Sequence, residues 1–154
     1  MKIIVLDSAP LSALSEPVST PQVVAISLWA STHLVAGNRI CIPEVTDYEL
    51  RRELVRSGKT ASIAELDALK IRFTYLPIST AAMLLAAELW AQSRNRGTPT
   101  GDPRRLDIDV ILAAQALNAG GAIGITTAET IVATTNVKHL VQFLSADLWQ
   151  NTKP

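Results

Sequence analysis

The chain has 154 residues, enough to bury one core, and its 48% hydrophobic but only 5% aromatic content indicates that this core is aliphatic. Fourteen basic and fourteen acidic residues cancel, which excludes an overall field that would attract nucleic acid or an anionic membrane. The single cysteine, Cys41, excludes an internal disulfide and a cysteine-based zinc site. Because no signal-like or membrane-spanning apolar run is present, we expect a soluble cytoplasmic protein with one domain over residues 1–154.

The first half of the chain alternates apolar strands with helices. The run from Ile3 to Leu6 is largely β-branched and stops at Asp7, which is typical of a buried parallel strand that ends in a loop. Gly37 follows a long amphipathic pattern and predicts a helix end. The predicted elements are a strand over 3–6, helices over 10–14 and 21–36, a strand over 39–42, helices over 44–57 and 60–72, and a strand over 73–78.

The second half begins with a helix over 79–94 and a long loop over 95–103, which four arginines flank: Arg94, Arg96, Arg104 and Arg105. An Ala- and Leu-rich helix then starts near Asp107 and ends at the Gly120-Gly121 pair. A short strand over 122–126, a strand over 131–134, a helical turn over 137–140 and a last strand or coil over 143–149 complete the pattern. Since parallel strands need helical crossovers, we predict an α/β fold with helices on both faces of a mostly parallel sheet.

Two carboxylates, Asp107 and Asp109, stand at the start of the apolar helix. Capping of the helix N terminus, which contributes about 0.5–2 kcal/mol, explains one of them without any site. Successive helical residues turn by about 100°, so two acids separated by one residue diverge by about 200°. We therefore expect Asp107 at the cap and Asp109 inside the first turn, with a functional site as the alternative reading.

Other polar side chains follow the predicted strands. Asp7 either lies at the ligand-binding edge of the sheet or caps the short helix after it. Glu49 is either a site residue or a solvated acid paired with Arg52, and Asn136 follows a late strand. Oxygen donors without cysteine or a spaced histidine pair suit Mg²⁺ or Mn²⁺ better than Zn²⁺. The two histidines, His33 and His139, are predicted to be structural or solvated, and no serine-hydrolase elbow or phosphate-binding glycine loop is present.

Four segments in this order resemble the PIN domain family, and the match that they define spans essentially the whole chain. They are IVLDS at 4–8, IPEVTDYELRREL at 42–54, LDIDVILAA at 106–114 and VATTN at 132–136. The resemblance implies a PIN-like three-layer sandwich and a Mg²⁺- or Mn²⁺-dependent endoribonuclease. It is also compatible with a role of this chain as the toxin of a VapBC-like toxin–antitoxin pair, with an antitoxin protein as its partner.

The resemblance also implies roles for individual residues. The family's acidic positions match Asp7, Glu49 and Asp109, and the fourth position holds the neutral Asn136. Asp107 is an additional acid near this set and a further candidate metal ligand. The residues expected to contact RNA are Ser8, Thr134, Arg104 and Arg105, with Arg94 and Arg96 as further candidates.

Two alternatives remain open at the level of sequence. The chain either retains the PIN fold as a metal-poor module that binds RNA or a partner, which the neutral Asn136 favours, or it is a flavodoxin-like signalling domain phosphorylated at Asp7. Apolar residues in excess of one small core also predict a homodimer; they are Val24, Leu28 and Trp29 on one helix and Met83 and Trp90 on another.

Overall fold

The computed structural model describes residues 1–97 and 103–154, and of residues 103–105 it describes the backbone only. Five strands and six α-helices alternate in this part of the chain. They are β1 (Lys2–Leu6), α1 (Ser8–Leu14), α2 (Pro21–Val35), β2 (Arg39–Pro43), α3 (Glu44–Arg56), α4 (Thr60–Arg72), β3 (Thr74–Leu76), α5 (Thr80–Asn95), α6 (Pro103–Ala122), β4 (Glu129–Thr134) and β5 (Ala146–Leu148), with a 3₁₀ turn (Val137–His139) between β4 and β5.

The strands form one sheet in the order β3-β2-β1-β4-β5, and every pairing among them is parallel. Alternate residues of a strand face opposite sides of a sheet, and β1 is buried on both. Ile3 packs on one side in a cluster with Leu112 of α6, whereas Ile4 packs on the other in a cluster with Leu11 of α1 and Leu66 of α4. The predicted α/β fold with helices on both faces is therefore confirmed.

The parallel register brings the carboxyl ends of β1 and β4 side by side. Leu6 lies opposite Ala133, and the Asp7 N–H donates a 3.0 Å hydrogen bond to the Ala133 carbonyl. The first residues beyond the two strands therefore meet at one edge of the sheet, which is where open α/β folds bind ligands.

Helix α6 differs from its prediction at both ends. It begins at Pro103 rather than near Asp107, because proline fits the first turn, where its missing N–H is not needed. It also continues through Gly120 and Gly121, so the predicted strand over 122–126 is wrong. The chain turns back tightly there, since the Ile125 N–H donates a 2.7 Å hydrogen bond to the Gly120 carbonyl and a Cβ on Gly120 would lie 2.9 Å from the Ile125 oxygen.

The other predicted elements are present with ends shifted by a few residues. Helix α1, for example, begins at Ser8 rather than residue 10 because Asp7 caps it, and β5 occupies only Ala146–Leu148 of the predicted 143–149. Among the described residues, no helix combines the length and apolar character needed to cross a membrane.

Candidate active site

Asp7 occupies the junction between β1 and α1. Its Oδ1 accepts a 2.7 Å hydrogen bond from the Ser8 N–H, and its Oδ2 accepts a 2.6 Å hydrogen bond from the Thr134 hydroxyl. The sequence predicts either a helix cap or a residue at the ligand-binding edge of the sheet. Asp7 is both, because it caps α1 and lies at the carboxyl edge of the sheet.

Thr134, the last residue of β4, is fully buried. Its hydroxyl donates to Asp7 and accepts a 3.0 Å hydrogen bond from the Asn136 N–H. The hydroxyl therefore makes its contacts inside the protein and holds the Asp7 carboxylate in place.

A cavity of about 100 Å³ opens at this edge of the sheet. Three carboxylates line it, and each comes from a different element: Asp7 from the end of β1, Glu49 from α3 and Asp109 from α6. The other lining residues are Ser8, Ala9, Thr135, Asn136, His139 and Leu140. The fold thus brings together the acids that the sequence leaves 42 and 60 residues apart.

The two helices that carry Glu49 and Asp109 are joined by one buried amide. Gln115 of α6 accepts a 3.2 Å hydrogen bond from the Val45 N–H at the start of α3 and donates a 2.7 Å hydrogen bond to the Leu76 carbonyl of β3. The residue before α3 is Pro43, whose side chain makes no capping bond. Gln115 therefore supplies an acceptor to the first turn of α3 and fixes that helix against α6.

Asp107 lies away from the acidic cavity. It is exposed and lines a separate cavity of about 430 Å³. The other residues that line this second cavity are Met83, Ala86, Ala87, Trp90, Val110 and Ile111. Because α6 begins at Pro103 and has no acid in its first turn, the predictions that Asp107 caps the helix and that Asp109 lies inside its first turn are both wrong. The predicted divergence of about 200° accounts for the separation of Asp107 from Asp109.

The predicted arginine cluster is described only in part. The backbone of Arg104 and Arg105 lies in the first turn of α6, and their side chains are outside the described residues. Arg94 is exposed near the end of α5, with its guanidinium carbon 5.6 Å from the centre of the Trp90 ring. Arg96 follows α5 and is also exposed.

Comparison with known families gives one decisive match. The family described as PIN domain matches residues 4–135, which contain all three acids of the cavity. The chain belongs to the PIN domain family. Comparison with curated proteins finds no match.

Several solved structures share the fold of this PIN domain at low sequence identity. VapBC2 of Rickettsia felis, bound to a DNA fragment from its promoter, is 18% identical, with 96% of this chain and 98% of that chain covered and a TM-score of 0.67. VapBC-1 of nontypeable Haemophilus influenzae is 20% identical, with 97% and 99% covered and a TM-score of 0.65. DNA-bound VapBC of Salmonella typhimurium is 20% identical, with the same coverage and a TM-score of 0.69.

The donor set of the PIN cavity fits a hard divalent cation. Three carboxylates and the Asn136 amide supply oxygen ligands, which Mg²⁺ and Mn²⁺ prefer. Among the described side chains, no three acids, histidines or cysteines are already grouped closely enough to hold an ion. Magnesium commonly keeps several waters, so a few carboxylates that rotate toward one point are sufficient ligands.

His139 also lines the cavity, although the sequence pattern predicts a structural or solvated residue. It ends the 3₁₀ turn after β4, and the residue is half-buried. A turn of only three residues is too short for a periodic pattern that would show which way the His139 side chain faces. Its position three residues after Asn136 was the one signal available, since that places it at the same sheet edge.

Proposed function

We propose that this PIN domain is a Mg²⁺- or Mn²⁺-dependent endoribonuclease that hydrolyses RNA phosphodiester bonds. The observation that carries the proposal is the convergence of Asp7, Glu49 and Asp109 on one cavity at the carboxyl edge of a parallel sheet. Three carboxylates in so small a space repel one another, and a divalent cation offsets that repulsion.

In this proposal Asp7, Glu49 and Asp109 hold the ion and Asn136 adds a neutral oxygen. A bound ion would supply Lewis-acid chemistry, which activates a water for in-line attack and neutralises charge on the phosphate. Thr134 restrains Asp7 through their 2.6 Å hydrogen bond, so that this carboxylate keeps one orientation. Ser8 lies at the N terminus of α1 and lines the cavity, where its hydroxyl reaches the phosphate. Arg104 and Arg105 hold the RNA backbone beyond it.

The experiment is a cleavage assay with Mn²⁺ and single-stranded RNA, comparing Asp109→Asn with Asp107→Asn. The two aspartates lie on the same helix, but they line different cavities. We expect Asp109→Asn and Asp7→Asn to abolish cleavage and Asp107→Asn to retain it. Equal activity in the wild type and Asp109→Asn would contradict the proposal.

We further propose that the protein is the toxin of a VapBC-like pair and acts in the cytoplasm. The support is the VapBC name of the solved structures that share its fold over nearly its whole length. The prediction is that a small protein encoded in the adjacent reading frame co-purifies with this chain and inhibits its RNA cleavage. An adjacent product that neither binds nor inhibits would contradict the pairing and leave the nuclease proposal standing.

The proposed homodimer uses the apolar cavity between α5 and α6. Met83 is 45% exposed and Trp90 42% exposed at this cavity, and burying large apolar side chains is the main driving force of association. Sedimentation at rising concentration is expected to show a dimer that Trp90→Ser weakens. Monomer throughout would contradict it.

A second candidate function is a metal-poor module that binds RNA or a protein partner. Asn136 favours it, because an amide in the fourth position brings no charge to the cavity. This candidate predicts that the wild-type protein binds RNA equally well with and without Mn²⁺ and does not cleave it.

A further inference from the structure

The two histidines of the chain differ in how their ring nitrogens are used. His33 is fully buried, and its Nε2 lies 3.1 Å from the Thr152 carbonyl while its Nδ1 lies 3.1 Å from the Asn38 amide nitrogen. A carbonyl only accepts, so Nε2 carries the proton and Nδ1 accepts from Asn38. Both nitrogens of His33 therefore serve the fold.

His139 shows the opposite pattern. Its Nδ1 is buried, yet this atom makes no hydrogen bond with any part of the chain that the structure describes. Burying a polar nitrogen without a partner costs free energy, and native structures retain such atoms mainly where a ligand, water or reaction uses them.

The turn that carries the imidazole is closed by contacts that do not involve Nδ1. Leu140, the next residue, is 1% exposed and packs in the core cluster with Val132 and Leu112. The Leu140 N–H donates a 3.1 Å hydrogen bond to the Val137 carbonyl, which closes the turn through the backbone. Burial of Leu140 and the backbone hydrogen bond therefore hold this turn. The Nδ1 atom of His139 forms no hydrogen bond that would help to hold it.

The surroundings of the ring indicate what it binds. The cavity that His139 lines holds three carboxylates, and among the described side chains only those of Asn136 and His139 bring a nitrogen to it. An RNA phosphate that enters such a cavity is repelled by the acids and needs hydrogen-bond donors aimed at its oxygens.

We infer that His139 is a substrate-binding residue whose Nδ1–H donates a hydrogen bond to a phosphate oxygen of the RNA. The inference rests on the proposed nuclease function and adds a residue to it. It explains why a buried nitrogen lacks a partner in the protein alone, because the partner arrives with the substrate.

The test uses three substitutions at this position and one beside it. The amide of His139→Asn lies near the place of Nδ1, whereas that of His139→Gln lies near the place of Nε2. We expect His139→Ala and His139→Gln to lower kcat/KM for RNA by about 10- to 100-fold, the range for one hydrogen bond to a charged group, and His139→Asn to restore part of it. Lys138→Ala, an exposed neighbour in the same turn, is expected to match the wild type.

Thermal unfolding supplies a readout independent of activity. His139→Asn and His139→Gln should show the same Tm, because neither amide replaces a hydrogen bond that Nδ1 makes within the described part of the fold. In ¹⁵N-histidine spectra, uridine 5′-monophosphate with Mg²⁺, a product-like ligand, is expected to shift the Nδ1 signal of His139 and leave both nitrogens of His33 unchanged.

The outcomes separate this inference from the function on which it rests. A wild type that does not cleave RNA would contradict the nuclease proposal. A wild type that cleaves RNA, together with His139→Ala of unchanged kcat/KM or with no shift of the Nδ1 signal on ligand binding, would contradict only the role of His139.

Discussion

The hydroxyl of Thr134 donates a 2.6 Å hydrogen bond to Oδ2 of Asp7, although the two residues lie 127 positions apart in the sequence. The same hydroxyl accepts from the Asn136 N–H at 3.0 Å. One buried oxygen therefore links two residues of the cavity, and the β1–β4 pairing that places it there is part of the core.

Replacing Thr134 by valine tests this link. Thr134→Val keeps the shape of the side chain but leaves the Asp7 carboxylate and the Asn136 N–H without their partner. We expect the free energy of unfolding to fall by about 1–3 kcal/mol. Cleavage is expected to fall by about 10- to 100-fold, because a misplaced ligand disturbs the geometry of attack. Urea unfolding and an RNA cleavage assay measure the two effects. As the control, Thr134→Ser keeps the hydroxyl and should retain most of the stability and most of the cleavage activity. A Thr134→Val variant equal to the wild type in both would disprove the link.

The Gln115 bridge predicts a local effect that can be resolved by residue. Gln115→Leu leaves the Val45 N–H and the Leu76 carbonyl buried and unpaired, at about 1–3 kcal/mol for each group. Hydrogen exchange should speed up at the Val45 amide. The Asp7 amide, which donates a 3.0 Å hydrogen bond to the Ala133 carbonyl and does not involve α3, is the internal reference and should exchange as before. Equal protection of the Val45 amide in both proteins would show that Gln115 does not hold α3.

The buried His33 predicts how stability depends on pH. Burial lowers the pKa of His33 below its ordinary value of 6.5, the charge of Lys2 adds to this, and the hydrogen bond to Thr152 opposes it. Below pH 6.5 the unfolded chain therefore binds a proton that the folded chain does not. The contribution of neutral His33 to the free energy of unfolding is fully present above pH 6.5. It is lost as pH falls toward the pKa of His33 in the folded protein, by up to about 1.4 kcal/mol per pH unit.

The measurement is urea unfolding of the wild type and His33→Gln at pH 7.5, 6.5 and 5.5, values chosen around the ordinary pKa of 6.5. Glutamine does not titrate in this range, so the difference between the two proteins isolates the contribution of His33. That difference should shrink as pH falls. A difference that grows or stays constant would contradict the lowered pKa.

Cys41 should be unreactive in the folded protein. It lies on β2, between β3 and β1, with no exposed surface, and burial raises the pKa of its thiol to about 12 against the opposing charge of Arg39. Because the thiolate is the reactive form, iodoacetamide at pH 8 should modify it only as fast as the protein unfolds. Mass spectrometry with and without urea checks this, and rapid labelling without urea would contradict the burial.

Much of the fold could be predicted from local patterns. The β-branched run of β1 and the helical spacing of α2 and α3 act within one element, so the sequence carries them directly. The end of α6 lies beyond its predicted position because α6 includes Gly120, a residue that normally breaks a helix. Its role depends on the return of Ile125 to within hydrogen-bond distance, a tertiary contact that no local pattern contains.

The candidate site divides in the same way. Asp7, Glu49 and Asp109 could be predicted because they follow recognisable strand and helix signals in an order typical of a family. Gln115 and Thr134 act through partners 70 and 127 residues away, so only the folded chain shows what they hold. The sequence predicts a structural or solvated role for His139, because a lone histidine in a short turn has no pattern that distinguishes a cavity residue.

The central claim is that the three acids of the cavity bind a divalent cation, and a Mn²⁺ titration by calorimetry tests it most directly. Glu49 and Glu53 lie one turn apart on α3, but Glu53 is exposed and pairs with Arg56 at 2.9 Å. We expect the wild type and Glu53→Gln to bind Mn²⁺ alike and Glu49→Gln to bind it at least about tenfold more weakly. Equal binding by Glu49→Gln and the wild type, or no binding by the wild type, would contradict the claim.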